Sequence, residues 1–259
     1  MSSSKQPFHI LSVEGLPKTG KTHLYSTAPG GIGVQSLDFG TEGVIDKFPD
    51  TYFDVREYNF AYDFTIQKRG DEATEQADRI KSDYWEPFNT DAAQFFGDAS
   101  IRTVVWDTAS EVWEMLRLAH FGKLMQNPQM QYGVVNAEYK ALVRMANTAR
   151  KNLILVHQLS KEYKTIEDAQ GKEKSIETGN FKRQGNNKVD YLVHSYVRCL
   201  YDEPVKNSKG IIATPGKFKI EILRSRFNPD VNGMIIDSCG FVDLMGLLAP
   251  HVDSDAWQA

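Results

Sequence analysis

The chain has 259 residues, of which 25% are charged and 41% hydrophobic, a make-up that excludes a wholly disordered or membrane-embedded protein. A formal net charge of -4 rules out a uniformly basic coat, so any nucleic-acid contact has to come from a local patch. Cys199 and Cys239, the two cysteines, stand in neither a CxxC nor a Cys/His cluster, which argues against a structural zinc or a disulfide framework. Met1 to Phe8 has no apolar core of a signal peptide and no long apolar run follows, so a cytoplasmic location is expected, with no membrane partner.

Along the chain, His9 to Val13 is a short apolar run that ends at Gly15 and reads as a buried strand entering a turn. Similar runs follow at Ile32 to Leu37, Tyr52 to Val55, Thr103 to Trp106, Leu153 to Val156, Tyr196 to Leu200 and Phe218 to Leu223, with a hairpin strand at Met234 to Ile236. Between the earlier runs the spacing is helical. Val112, Met115, Leu116 and Ala119 share one face, and Leu142, Val143 and Ala146 another. This alternation predicts one α/β domain over 1–259, a mostly parallel central sheet flanked by helices with late antiparallel strands. Gly70 to Ser100, polar and weakly periodic, is expected to form helices outside the sheet, an insertion serving oligomerisation or packing. Ser160 to Lys188, polar and without a period, is expected to be a long loop, and such loops are commonly functional. His251 to Ala259 is expected to be a short, acidic, frayed tail.

Gly15-Leu16-Pro17-Lys18-Thr19-Gly20-Lys21-Thr22 matches GxxxxGK[ST], placed after a predicted strand and before a helical start at Leu24. Glycines let the backbone N–H groups face a β-phosphate, Lys21 bridges β- and γ-phosphates, and Thr22 ligates Mg²⁺. The loop from Gly15 through His23 is therefore the expected ATP site. Asp107, at the end of the Thr103 to Trp106 run, is the expected metal carboxylate, its alternative being a cap for the following helix. Asp38 and Glu42, past the second strand, are the two candidate bases for activating water. His157-Gln158 ends the fifth strand, where it either caps the strand or reports γ-phosphate occupancy.

Together these motifs resemble the RecA-like ATPase core. The Val105-Trp106-Asp107-Thr108 strand end, the Glu111 to Glu114 helix start and the Gly40-Thr41-Glu42-Gly43 turn are similar, more narrowly, to small phage-encoded core-only recombinases that promote single-strand annealing. The resemblance runs from about Phe8 to Pro229. It implies a homo-oligomer, ring or filament, bound to single-stranded DNA in a host cytoplasm. A single-strand DNA-binding protein is a further candidate partner. It puts Glu42 ahead of Asp38 as base, although the family's Asp-x-Glu spacing is displaced here because Gly40 follows Asp38 by two. It makes Gln158 the γ-phosphate contact, Ser160 to Lys188 the DNA-binding loop, and Arg224 and Arg226 the pair inserted into a neighbour's ATP site, a solvated strand end being their alternative. Within the loop, Phe181, Lys182, Arg183 and Lys188 combine an aromatic platform with cations. The stretch from Phe121 to Gly133 is a second possible contact. The expected activity is DNA-stimulated ATP hydrolysis in recombination or annealing; an ATP-ligated scaffold with negligible turnover, and a small-molecule kinase, are the other readings.

Overall fold

A computed structural model describes residues 6–59, 70–122, 131–167, 173–208 and 210–258. In chain order the strands are β1 (Ile10–Gly15), β2 (Gly31–Ser36), β3 (Phe53–Glu57), β4 (Ile101–Asp107), β5 (Asn152–His157), β6 (Leu159–Glu167), β7 (Glu173–Arg183), β8 (Ser195–Asp202), β9 (Val205–Lys206), β10 (Ile212–Thr214), β11 (Lys217–Ser225) and β12 (Ile235–Asp237). The helices are α1 (Lys21–Ser26), α2 (Asp71–Ile80), α3 (Glu86–Gly97), α4 (Ala109–Phe121), α5 (Tyr132–Ala149), α6 (Phe241–Leu248) and α7 (Ser254–Gln258).

Eight strands form the main sheet in the order β12-β11-β8-β1-β5-β4-β2-β3. From β8 to β3 the neighbours are parallel, while β11 runs antiparallel to β8 and β12 antiparallel to β11. The central strands read as near-continuous Val, Ile and Leu because helices cover both faces. Their pleat sends Ile10, Val104, Trp106, Leu153 and Leu155 to the side of α3, α4 and α5. Leu11, Val13, Val105, Ile154 and Val156 pack on the other side, with α1 and α6.

Each strand expected from the sequence up to Val156, together with β8, β11 and β12, lies where the apolar runs put it. Two expectations need correction, and a third is met. Residues 70–100 form α2, a π-helical turn at Lys81–Trp85 and α3, the helices expected there, and they pack on the sheet: Phe88, Ala92, Phe95 and Phe96 are buried in its core. The fit is close enough that a Cβ on Gly33 of β2 would stand 2.7 Å from the Phe95 ring. Residues 159–183 are no loop, since β6 and β7 make an antiparallel hairpin registered by pairs such as Tyr163 with Glu177 and Ile166 with Lys174. Its side chains stay exposed, so each strand satisfies the other's backbone while burying almost nothing. The C-terminal segment is docked, not frayed; Trp257 is 1% exposed and Arg102 Nη2 donates to the Ala256 carbonyl at 3.2 Å. No helix among the described residues is long and apolar enough to cross a membrane.

Candidate nucleotide site

Where β1 ends, the chain curls back on itself. Lys18 and Gly20 take positive φ, 64° and 93°, and turn the loop before α1 begins. Gly15 admits no side chain, because a Cβ there would stand 2.5 Å from Thr19 Oγ1 and 2.8 Å from the Cys199 carbonyl oxygen. Thr19 Oγ1 donates to the Leu16 carbonyl at 2.8 Å, and the Lys21 ammonium reaches over the loop to the Gly15 and Leu16 carbonyls at 3.0 and 2.9 Å. Burial lowers the Lys21 pKa, against the attraction of Asp107.

The loop forms one wall of a cleft of about 720 Å³ lined also by Asp38, Gly40, Asp107, Phe218 and Ser238. Thr22 Oγ1 donates to Gly40 O at 3.4 Å, and His23, beside it on the cleft wall, has its ring 5.2 Å from that of Phe48. Asp107 ends β4, is 3% exposed, and its Oδ2 accepts from the Tyr25 hydroxyl at 2.9 Å. Burial and then the charge of Asp38 push its pKa up to about 7. Glu111, one turn into α4, is raised to about 7 by the same two causes. Asp38 and Asp107 line the cleft together with Lys18, Lys21 and Lys47, and the two carboxylates with the Thr22 hydroxyl make a donor set that suits a divalent cation. A Mg²⁺ needs only the Thr22 hydroxyl and Asp107 from the protein, the rest of its shell being phosphate oxygens and water. Among the described residues no group of three or more His, Cys, Asp or Glu side chains is placed to hold a metal ion.

β11 begins beside the loop. The Phe218 ring lies 3.3 Å from where a Gly20 Cβ would be, is backed by Tyr201 at 4.7 Å between centroids, and stays 46% exposed. Of the two candidate bases, Asp38 lines the cleft, its Oδ1 accepting from the Gly40 N–H at 3.0 Å, whereas Glu42 is exposed and off the lining.

β5 lies between β1 and β4, so its end falls between the loop and Asp107. His157 is buried, its Nδ1 is 3.1 Å from the Gln184 carbonyl oxygen, and burial followed by Arg183 pushes its pKa down to about 3. Gln158 Nε2 donates to Glu111 Oε1 at 3.2 Å and its backbone N–H to Ser110 Oγ at 3.1 Å. Glu111, Tyr25 and Phe218 were not anticipated as parts of this site. Thr108-x-x-Glu111 carries the capping-box pattern, and a local role is the first reading of a Glu there.

The remaining candidates scatter. Arg226 donates its N–H to the His194 carbonyl at 2.9 Å, level with Ile10, which puts it at the opposite end of the sheet, roughly 16 Å along the strand from Gly15, while Arg224, paired with Tyr196 and so level with Ser12, stands about 10 Å from that glycine. The Arg226 guanidinium is bonded to the Tyr191 carbonyl. Phe181, Lys182 and Lys188 are exposed. Arg183 is held: its side chain is 13% exposed, pairs with Asp190, lies 5.5 Å over the Tyr196 ring and donates to Ser12 Oγ at 3.3 Å. Lys188 borders a hollow of about 390 Å³ with Trp113, Tyr132 and Asn136. Residues 123–130 of the second expected contact lie outside the described residues.

No protein-family model matches this chain, and no curated protein matches it.

Proposed function

We propose that the chain is a Mg-ATP-dependent ATPase of RecA-like type that works on single-stranded DNA as an oligomer. The observation that carries this reading is the Gly15 to Thr22 loop seated between a central parallel strand and a helix, with Lys21, Thr22, Asp38 and Asp107 converging on one cleft. Lys21 would neutralise the β- and γ-phosphates, Thr22 and Asp107 would hold the metal, and Asp38 is better placed than Glu42 to orient water. Phe218 offers a flat apolar surface to the base. Further support for the RecA-like reading comes from the strand order, in which β5 with His157-Gln158 separates the loop strand from the Asp107 strand.

For DNA, the support is the β6–β7 hairpin, an exposed arm carrying Lys161, Lys164, Lys174, Lys182 and Phe181. Arg226, far from its own cleft, would act in a neighbouring copy's. The displaced Glu42 favours one other reading, an ATP-ligated annealing scaffold with negligible turnover. Steady-state hydrolysis with Mg²⁺, with and without poly-dT, separates the two. Several-fold stimulation by poly-dT, loss of turnover in Lys21→Ala and reduced turnover with retained nucleotide binding in Arg226→Ala are the expected results. Hydrolysis that is absent or indifferent to DNA would overturn the coupled-ATPase reading.

A further inference from the structure

The two feet of the β6–β7 hairpin grip the start of the helix that follows Asp107. Gln158, at one foot, gives its backbone N–H to Ser110 Oγ at 3.1 Å. Gln184, at the other, donates its N–H to the Gln158 carbonyl at 2.9 Å and accepts at its own carbonyl from the Ser110 hydroxyl at 3.2 Å. Thr108 caps α4 by accepting from the Glu111 N–H at 3.3 Å. The Glu111 carboxylate faces the hairpin foot and takes the Gln158 Nε2 bond at 3.2 Å. By register Glu14 is paired with His157, so Gln158 stands next to Gly15, and Glu111 lies one helical turn beyond Asp107. Asp38, on the cleft wall, is near enough to act on the Glu111 charge. Beyond these feet the hairpin's strands pair chiefly with each other.

We propose that the Gln158 side chain is a latch on Glu111, withholding this carboxylate from the attacking water until a strand bound along the hairpin shifts its feet. The inference rests on the ATPase reading above. On release, with Asp38 orienting the water, the water oxygen bonds to the γ-phosphorus, the bond from that phosphorus to the β,γ-bridging oxygen breaks with its electron pair staying on that oxygen in the departing ADP, and the water's proton passes to Glu111 and on to solvent. Gln158 is then a positioning residue, acting through Glu111. Gln158→Ala keeps the backbone bond to Ser110, so the feet stay anchored.

The test measures steady-state turnover with and without poly-dT, and Kd for a fluorescent ATP analogue, in wild type, Gln158→Ala, Glu111→Gln and the double variant. The latch requires Gln158→Ala to raise DNA-free turnover several-fold and bring the poly-dT stimulation ratio close to one. It requires Glu111→Gln to lose about 100-fold or more with nucleotide Kd within about threefold, and the double variant to match Glu111→Gln. A Gln158→Ala that lowers both rates while keeping the ratio, or a Glu111→Gln that stays within about threefold of wild type, overturns the latch and leaves the ATPase standing. A wild type that binds no nucleotide overturns both.

Discussion

Phe218 ties the base-binding part of the site to a measurable quantity. The residue is 46% exposed, with its ring beside Gly20. For an aromatic side chain that can bury about 200 Å², roughly 90 Å² is open. A base laid on one face would cover about half of that, worth about 1 kcal/mol at 25 cal/mol/Å². Stacking geometry adds about 1 kcal/mol more. Phe218→Ala should therefore weaken ATP by about 2 kcal/mol, roughly 30-fold in Kd. Tripolyphosphate, which has no base, should bind both proteins equally, and Phe218→Trp should retain ATP. Calorimetric titration of both ligands decides the matter: an equal loss for ATP and tripolyphosphate would mean that the substitution disturbs the phosphate loop, and an unchanged ATP affinity would mean that no base stacks on Phe218.

His194 accepts the Ile10 N–H at 3.1 Å and is pushed down to about 4 by burial and then by Arg226, so it is neutral in the fold and protonates first in the unfolded chain. Its contribution is lost as pH falls from about 6.5 towards 4, on the order of 2 kcal/mol between pH 7 and 5. His194→Asn, which keeps an acceptor, should gain that amount over wild type across this interval in the difference between their thermal melts; parallel melts would refute it. Trp257→Ala should cost about 3 kcal/mol and lower Tm by roughly 6–12 °C, with nucleotide Kd unchanged because α7 packs on His9 and Arg102, at the starts of the strands whose other ends bear the cleft. Lys182→Ala should weaken poly-dT binding and its salt dependence without moving Tm, whereas Arg183→Ala should lower Tm by breaking its contacts with Asp190 and Tyr196. A DNA defect in neither would remove the base of the hairpin from the DNA interface.

The sheet was legible because its strands are buried on both faces, which leaves uninterrupted runs such as Leu153 to Val156. The phosphate loop was legible because Gly15 and Gly20 meet backbone demands that few other residues can. The hairpin escaped notice for the opposite reason: Tyr163, Ile166 and Ile176 are exposed, so no alternation marks which face is inside. In α3, Phe88, Ala92, Phe95 and Phe96 do share a face, but the polar residues among them made the segment look peripheral. The C-terminal helix rests on one aromatic side chain, too little for a periodic signal. Glu111 was hidden by its own neighbourhood, since a capping box accounts for a Glu at that position without reference to Gln158 across the sheet.

Because the hairpin is anchored at Gln158 and Gln184, its length is separable from the chemistry beneath it. Residues can be added or removed in cross-strand pairs beyond Tyr163 and Glu177 without shifting either foot, since each pair brings its own backbone partners. The reach of the arm and the composition of its surface can thus vary freely over a fixed ATP cleft. That makes the arm a natural graft point, where a different recognition segment would inherit the same pair of anchors on α4.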